Sequence, residues 1–369
     1  MRMRILGCLA VAALALTGCS KNLVGVVVPD TGDASAYGNS MLSGARLAFD
    51  TAIKDGNTPS GFKVVYIDSG SDPKKAAAEA KRLYDAGALM VIGGATSAEA
   101  KAMIPVAEAA KGVLLSPSAS EPGLAASSNH FFRVFPSDEF EAKLAARFLV
   151  TDRKAGKILV LKEDTLYTQG LLPVFDKEVA TLGGKIVGEL KIDTADFETK
   201  LGEAITRDQP DALFIAGYSE GILESLITVR NVGYTGVKCS TSAIEARVTV
   251  SRGGDNVEGV YFPMVKVDLS SSQEPIKSFV TRFKENNFDR MPDLYAAHGY
   301  DAALVALQVL RGDAVKSSDE LMQRLLSMAP LQGVTGPVSF DAHGDSAHRP
   351  RMHQIVGGKA VEVQTPANG

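Results

Sequence analysis

The residues able to do chemistry in this chain are hydroxyl, phenol and carboxyl groups placed where apolar runs end. Residues 91–97, VIGGATS, put two glycines and Ser97 between a strand-like run and a helical stretch. Such a turn lets backbone N–H groups approach an anion, and a helix N-terminus favours negative charge. Ser97 is read as the N-cap, a role that serine often fills with no further function. The loop Ser116-Pro117-Ser118-Ala119-Ser120 follows the next apolar run and adds hydroxyls and free backbone groups. Tyr218 follows Gly217 at the end of another strand-like run, where open α/β sheets bind ligands. A ring there walls an apolar group, and its hydroxyl holds water or ligand.

Enzyme chemistry finds little support. Ser71-Asp72-Pro73-Lys74 spells S-x-x-K, but the companion S-D-N and K-T-G motifs are absent. Asp72 as N-cap with Pro73 in the first helical position explains that segment. G-x-S-x-G, H-E-x-x-H, Walker and C-x-x-C patterns are absent. His343, His348 and His353 lie near Asp341 and Asp345, with a spacing that fits no known metal site. Residues 341–345 read as a turn after a strand. The expectation is a binding protein with no catalytic residues, no metal and no cofactor.

The elements that must position these groups follow a repeating rhythm. Apolar β-branched runs at 23–28, 62–67, 90–92 and 113–115 alternate with helical stretches at 37–53, 73–84 and 98–110. The rhythm resumes with strands at 158–161, 185–190, 212–215, 237–239 and 259–262, and helices near 169–182, 196–207 and 219–231. Helices near 272–287, 296–310 and 318–328 follow, then strands at 336–340, 352–356 and 360–363. Alternation of this kind predicts α/β architecture with doubly wound parallel sheets. The length suggests two domains, and the lack of a linker suggests that crossing strands join them.

The start of the chain carries its own signal. Arg2 and Arg4 precede an apolar stretch from Ile5 to Leu16, which ends in Leu16-Thr17-Gly18-Cys19. A charged start, a short apolar run and small residues form a secretory signal. It is too short to span a bilayer. The tetrapeptide resembles the lipobox of bacterial lipoproteins, which implies removal of residues 1–18 and a lipid anchor on Cys19. Loss of that leader takes two arginines and leaves 37 basic against 43 acidic residues. A mildly acidic chain without basic runs is a poor match for nucleic acid. Cys8 departs with the leader and Cys19 takes lipid, so Cys239 is expected as a free thiol.

Nearly the whole mature chain resembles the type I periplasmic substrate-binding proteins of ABC importers, in particular the leucine/isoleucine/valine-binding group. The resemblance rests on ordered segments. They are GVVVPDTGDASAYG at 25–38, GARLA at 44–48, DSGSDPKKAA at 68–77, VIGGATS at 91–97, LSPSAS at 115–120 and LYTQG at 166–170. Asp196-Phe197, Val257-Glu258-Gly259, Tyr300-Asp301-Ala302 and GPVSFDAHGD at 336–345 complete the set. It implies two lobes joined by three crossings, near 135–137, 264–267 and 334–338. Lobe 1 would comprise 19–135 and 268–334, and lobe 2 136–267 and 335–369. The cleft between them would close on a small ligand and present a composite surface to the permease.

The resemblance also assigns roles. Ser97 matches the family's carboxylate-binding serine. Ser118 matches a position whose carbonyl meets the ligand's ammonium. Ser120 matches one that gives a hydroxyl and N–H to its carboxylate. Tyr37, Tyr167 and Tyr218 match aromatic cleft positions. One residue departs: where the amino-acid binders carry an ammonium-pairing glutamate, this chain has Ser242, with Glu245 and Glu220 as possible substitutes. A buried ammonium without a carboxylate is expensive, so free α-amino acids are expected to bind less well than carboxylates or amides. The function expected is an extracytoplasmic, lipid-anchored, monomeric solute-binding protein that serves an ABC permease of the branched-chain amino acid type. The alternative is a regulatory outer-membrane lipoprotein that acts on a peptidoglycan synthase or as a sensor component.

Overall fold

The computed structural model describes residues 22–364 apart from 246 and 288. The leader, Cys8 and Cys19 fall outside those residues. Among the described residues, no helix is long and apolar enough to cross a membrane.

The chain opens with β1 (Leu23–Val28), α1 (Ser35–Lys54), β2 (Lys63–Asp68), α2 (Pro73–Asp85), β3 (Met90–Gly93), α3 (Ser97–Ala110), β4 (Val113–Ser116), α4 (Gly123–Ser127) and β5 (Phe131–Arg133). The strands form one parallel sheet in the order β2-β1-β3-β4-β5. β1, β3 and β4 are buried along their whole lengths. Strands covered by helices on both faces must be apolar throughout, which is why they read as unbroken apolar runs.

The second series begins with α5 (Asp138–Arg147), which continues into a π-helical turn at Phe148–Asp152. It proceeds through β6 (Lys157–Lys162), α6 (Leu166–Thr181), β7 (Lys185–Lys191), α7 (Phe197–Asp208), β8 (Ala212–Ala216), α8 (Ser219–Asn231) and β9 (Val237–Ser240). A 3₁₀ turn at Ser242–Glu245, α9 (Arg247–Gly253) and β10 (Tyr261–Met264) follow. Here the parallel order is β7-β6-β8-β9-β10, the same winding as in the first sheet. The chain then returns to the first lobe with α10 (Ile276–Asn286), α11 (Leu294–Leu310) and α12 (Ser318–Ser327). A hairpin of β11 (Leu331–Gly333) and β12 (Gly336–Val338) forms its own two-stranded sheet. Finally β13 (Arg351–Val356) pairs antiparallel with β10 and β14 (Lys359–Glu362) antiparallel with β13, so that sheet is mixed.

Several features differ from the sequence reading, which has no counterpart for the short elements α4, β5, α9 and β11. Helix α5 has no counterpart in it, although the local signal is present. The Ser137 side chain accepts from the Glu139 N–H, and Asp138, Glu139 and Glu141 crowd the first turn, where the helix dipole favours acids. The third crossing lies near 346–351 rather than at 334–338. Val334 and Thr335 donate to Asp301 of α11, and the Gly344 carbonyl accepts from the Arg133 N–H of β5. Gly344 has φ +85°, and a Cβ there would sit 2.4 Å from the Phe131 carbonyl oxygen. The segment up to Asp345 therefore stays on the first sheet, and the second part of lobe 1 runs beyond residue 334.

Helices α1 and α11 meet backbone to backbone. A Cβ on Gly44 would lie 1.9 Å from the Ala296 carbonyl oxygen, and one on Gly299 would lie 2.2 Å from that of Met41. Gly202 on α7 has open space around its Cβ position. Gly44→Ala is therefore expected to lose about 1–3 kcal/mol of stability by overpacking. Gly202→Ala is expected to gain up to about 1 kcal/mol from helix propensity. Urea denaturation of the two variants reads both signs; equal effects would contradict the backbone contact.

Candidate functional site

In a doubly wound sheet, ligands bind outside the carboxyl ends of the strands, where the strand order reverses. The reversal falls between β1 and β3 in the first lobe and between β6 and β8 in the second. The loops that leave these strands face each other. They form a pocket lined by Tyr37, Thr96, Ser97, Ser118, Ser120 and Phe135, and across the cleft by Tyr167, Tyr218, Ser242 and Ala243, with Ala95 and Tyr295 completing the wall. The structure thus brings together seven of the eight ligand-site residues named from sequence.

The eighth does not join them. Glu245 ends the 3₁₀ turn and is not part of the cavity wall. Burial, then the charge of Asp293, pushes its carboxyl up to about 7. Glu220 is not part of the wall either: it is exposed and paired with Arg252 at 2.5 Å. Neither carboxylate reaches the cavity, so neither replaces the missing glutamate by direct contact.

Five rings run across the cleft as a chain. Phe135 stacks on Tyr295 at 6.1 Å, Tyr295 meets Tyr37 edge-on at 4.7 Å, Tyr37 meets Tyr218 at 5.8 Å, and Tyr218 stacks on Tyr167 at 5.7 Å. Phe135 belongs to the first crossing and Tyr295 to the first turn of α11. Neither was found from sequence: Phe135 follows β5, a three-residue strand with no counterpart in the sequence reading, and Tyr295 opens a helix that follows no strand. Burial raises the phenols of Tyr37, Tyr167, Tyr218 and Tyr295, so all four remain neutral donors and acceptors. Tyr37 also holds the lobes together. Its hydroxyl accepts from the Ser219 N–H at 2.5 Å and donates to the Ala243 carbonyl at 3.4 Å.

Helix α3 points its N-terminus at the cavity. Thr96, not Ser97, is the N-cap: Thr96 accepts from the Glu99 N–H, and the Glu99 carboxylate accepts from the Thr96 N–H in a capping box. Relieved of that task, Ser97 occupies the first helical position, and its Oγ accepts from the Glu121 N–H at 3.3 Å. The hydroxyl hydrogen of Ser97 is then available to a ligand, beside the unpaired first-turn N–H groups that every helix carries.

The neighbouring loop is braced from behind. Arg133 is fully buried; its Nη1 donates to the carbonyls of Ala119 and Glu121, at 3.3 and 2.8 Å, and its Nε to Asp345 at 2.5 Å. These bonds fix the backbone on both sides of Ser120. Two other groups from the sequence reading have plain structural tasks. The Asp72 side chain caps α2 through the N–H groups of Lys74 and Lys75. Asp341 closes the expected turn onto His343 and Asp345. Among the described residues, no group of three or more His, Cys, Asp or Glu is placed to hold a metal. Cys239 is buried and unpaired, and burial raises its thiol.

Two lobes that close on a walled, hydroxyl-lined cavity define a binding protein that engulfs a small molecule. The sequence profile described as periplasmic binding protein matches residues 23–359, and the chain belongs to that family. It is a family of substrate-binding proteins, not enzymes. A Leu/Ile/Val-binding protein homolog of Brucella abortus is 26% identical over 349 residues, covering 91% of this chain and 90% of that one. The crystal structure of a leucine-binding protein from Thermotoga maritima superposes with a TM-score of 0.83 at 26% identity, covering 93% and 97% of the two chains. A solute-binding protein from R. palustris in complex with benzoate has the same fold, with a TM-score of 0.82 at 20% identity over 93% and 95%.

The interlobe bond of Tyr37 yields a test. Tyr37→Phe leaves the buried Ser219 N–H without its acceptor in the closed form only, at a cost of about 1–3 kcal/mol. Small-angle scattering of the ligand-free variant is expected to show a larger radius of gyration than the parent. Identical profiles would mean that the bond does not hold the cleft shut.

Proposed function

We propose that this chain captures a small carboxylate with a compact apolar body outside the cytoplasm, by cleft closure, and delivers it to an ABC importer of the branched-chain amino acid type. The supporting observation is the polarity of the cavity. The free hydroxyl hydrogen of Ser97 and the N-terminus of α3 form an anion-binding end, and the chain of five rings forms an apolar wall. The relatives agree in ligand chemistry, since leucine and benzoate are both carboxylates with apolar bodies. Binding by a monomer suffices for this role, because both halves of the cavity come from one chain.

Ligand that binds only the native state raises the melting temperature. A thermal-shift series with leucine, isoleucine, benzoate and leucinamide is expected to show stabilisation by one or more of the carboxylates and none by leucinamide. A charge-assisted hydrogen bond is worth about 1.5–3 kcal/mol, so Ser97→Ala should weaken the stabilising carboxylate by roughly ten- to a hundredfold. Stabilisation by leucinamide alone would overturn the carboxylate reading.

We propose further that Cys19 carries the lipid that tethers the protein to a membrane, as the sequence at 16–19 suggests. Mass spectrometry of the membrane fraction should give an acylated N-terminal Cys19, and Cys19→Ala should release a soluble form. An unmodified N-terminus elsewhere would refute the anchor.

A further inference from the structure

Two of the serine hydroxyl hydrogens around the cavity, one from each lobe, are already committed. Ser242 donates its N–H to Glu141 Oε1 at 2.7 Å and its Oγ hydrogen to Oε2 at 2.8 Å. Ser118 donates its hydroxyl to the Ala95 carbonyl at 2.5 Å. A serine hydroxyl has one hydrogen and two acceptor sites. Ser242 and Ser118 therefore turn acceptor lone pairs to the cavity, whereas Ser97 turns a hydrogen. The cavity has a donor end and an acceptor end.

The acceptor end is backed by more charge than the protein neutralises. Glu141 is buried beneath Ser242. Asp138, three residues earlier on the same face of α5, is 1% exposed, with both carboxyl oxygens buried and the Ser120 hydroxyl as the side chain that bonds toward its charge. Its N–H donates to the Ser120 carbonyl at 2.8 Å, which sets it directly behind the cavity wall. Arg133 favours its charge but does not come within 4 Å as an ion pair. Two adjacent buried carboxyls without a paired cation are costly unless one holds a proton or a cation arrives.

We propose that Glu141, acting through Ser242 and together with Asp138, makes the cleft select a ligand that carries a protonated amine. This rests on the carboxylate reading and adds the second pole of the ligand. It reverses the expectation drawn from Ser242 alone. The negative charge missing at position 242 stands one residue further back, and Ser242 relays it. Glu141 is thus a positioning residue, which orients the Ser242 lone pair and supplies field without touching the ligand.

The arrangement couples binding to protons. Burial first, and the neighbouring carboxyl for Asp138, push both groups above the usual carboxylate range, so the empty cleft retains a proton that an arriving ammonium displaces. The other groups that act on or from this pair are Arg133, Glu121 and Ser120 beside Asp138, Tyr218 before α8, Tyr167 on α6, Cys239 on β9 and Tyr295 on α11. Burial keeps the last three neutral, so they do not exchange the proton.

The test is calorimetry on the full chain with two pairs of probes, L-leucine against 4-methylpentanoate and L-phenylalanine against 3-phenylpropanoate. Each titration is repeated in buffers of different ionisation enthalpy. In at least one pair the amine-bearing member is expected to bind about tenfold or more tighter. It should release up to about one proton near pH 6, and its affinity should rise with pH, because the ionised pair binds the cation. The desamino member should release none. E141Q should bring the affinity ratio close to one and abolish proton release. D138N should act in the same direction and guards against a folding failure of E141Q. Equal affinities within both pairs in the parent protein would overturn the inference, as would an unchanged ratio in both variants, while leaving the carboxylate reading intact. If no member of either pair binds, this inference falls, and the carboxylate reading is decided by the benzoate and isoleucine arms of the thermal-shift series.

Discussion

Parallel strands all end at the same edge of a sheet, and this constraint organises the molecule. In each lobe the winding reverses once, so loops and helix N-termini gather at one carboxyl edge. The two edges face each other, and all the lining residues come from them, from the first crossing, or from the start of α11. Neither edge alone encloses a ligand. The site exists only when the lobes meet, which makes closure and binding a single event. The Tyr37–Ser219 bond shows how little it takes to bias that event: one hydroxyl joins a helix of one lobe to the start of a helix in the other.

Much of this was legible in the sequence. β1, β3, β4 and β8 are covered on both faces and are therefore unbroken apolar runs, which periodicity finds with ease. Seven cavity residues sit directly after such runs or in the turns of the helices that follow, so locating the strands located them. The N-cap was misplaced by one residue because Thr96 and Ser97 are both good caps. Only the three-residue interval from Thr96 to Glu99, a capping box, decides between them.

What escaped the sequence was held by contacts remote along the chain. The third crossing moved because Asp345 and Gly344 bind Arg133, more than 200 residues earlier. Tyr295 enters the cavity from a helix that returns to the first lobe after the second is complete. Helix α5 was missed for another reason. Its apolar face is built from Ala142, Ala145 and Ala146, whose small side chains give weak periodicity, while its acids suggest a solvated surface. Two of those acids, Asp138 and Glu141, are instead fully buried.

That burial bears on how specificity is encoded in a cleft lined by hydroxyls. A serine is neither donor nor acceptor until its other partner is known. Ser97 and Ser242 are the same residue type in one cavity, yet they present opposite polarity. Ser97 accepts from a backbone N–H and keeps its hydrogen for the ligand; Ser242 gives its hydrogen to Glu141 and keeps its lone pairs. Comparing only the residues that line such a cleft therefore misreads it. Exchanging a glutamate for a serine looks like the loss of a charge, but the charge stands one layer back, where Glu141 and Asp138 are shielded from water and their field is stronger for it. The ligand-facing side chains determine the shape, and the groups behind them determine the sign.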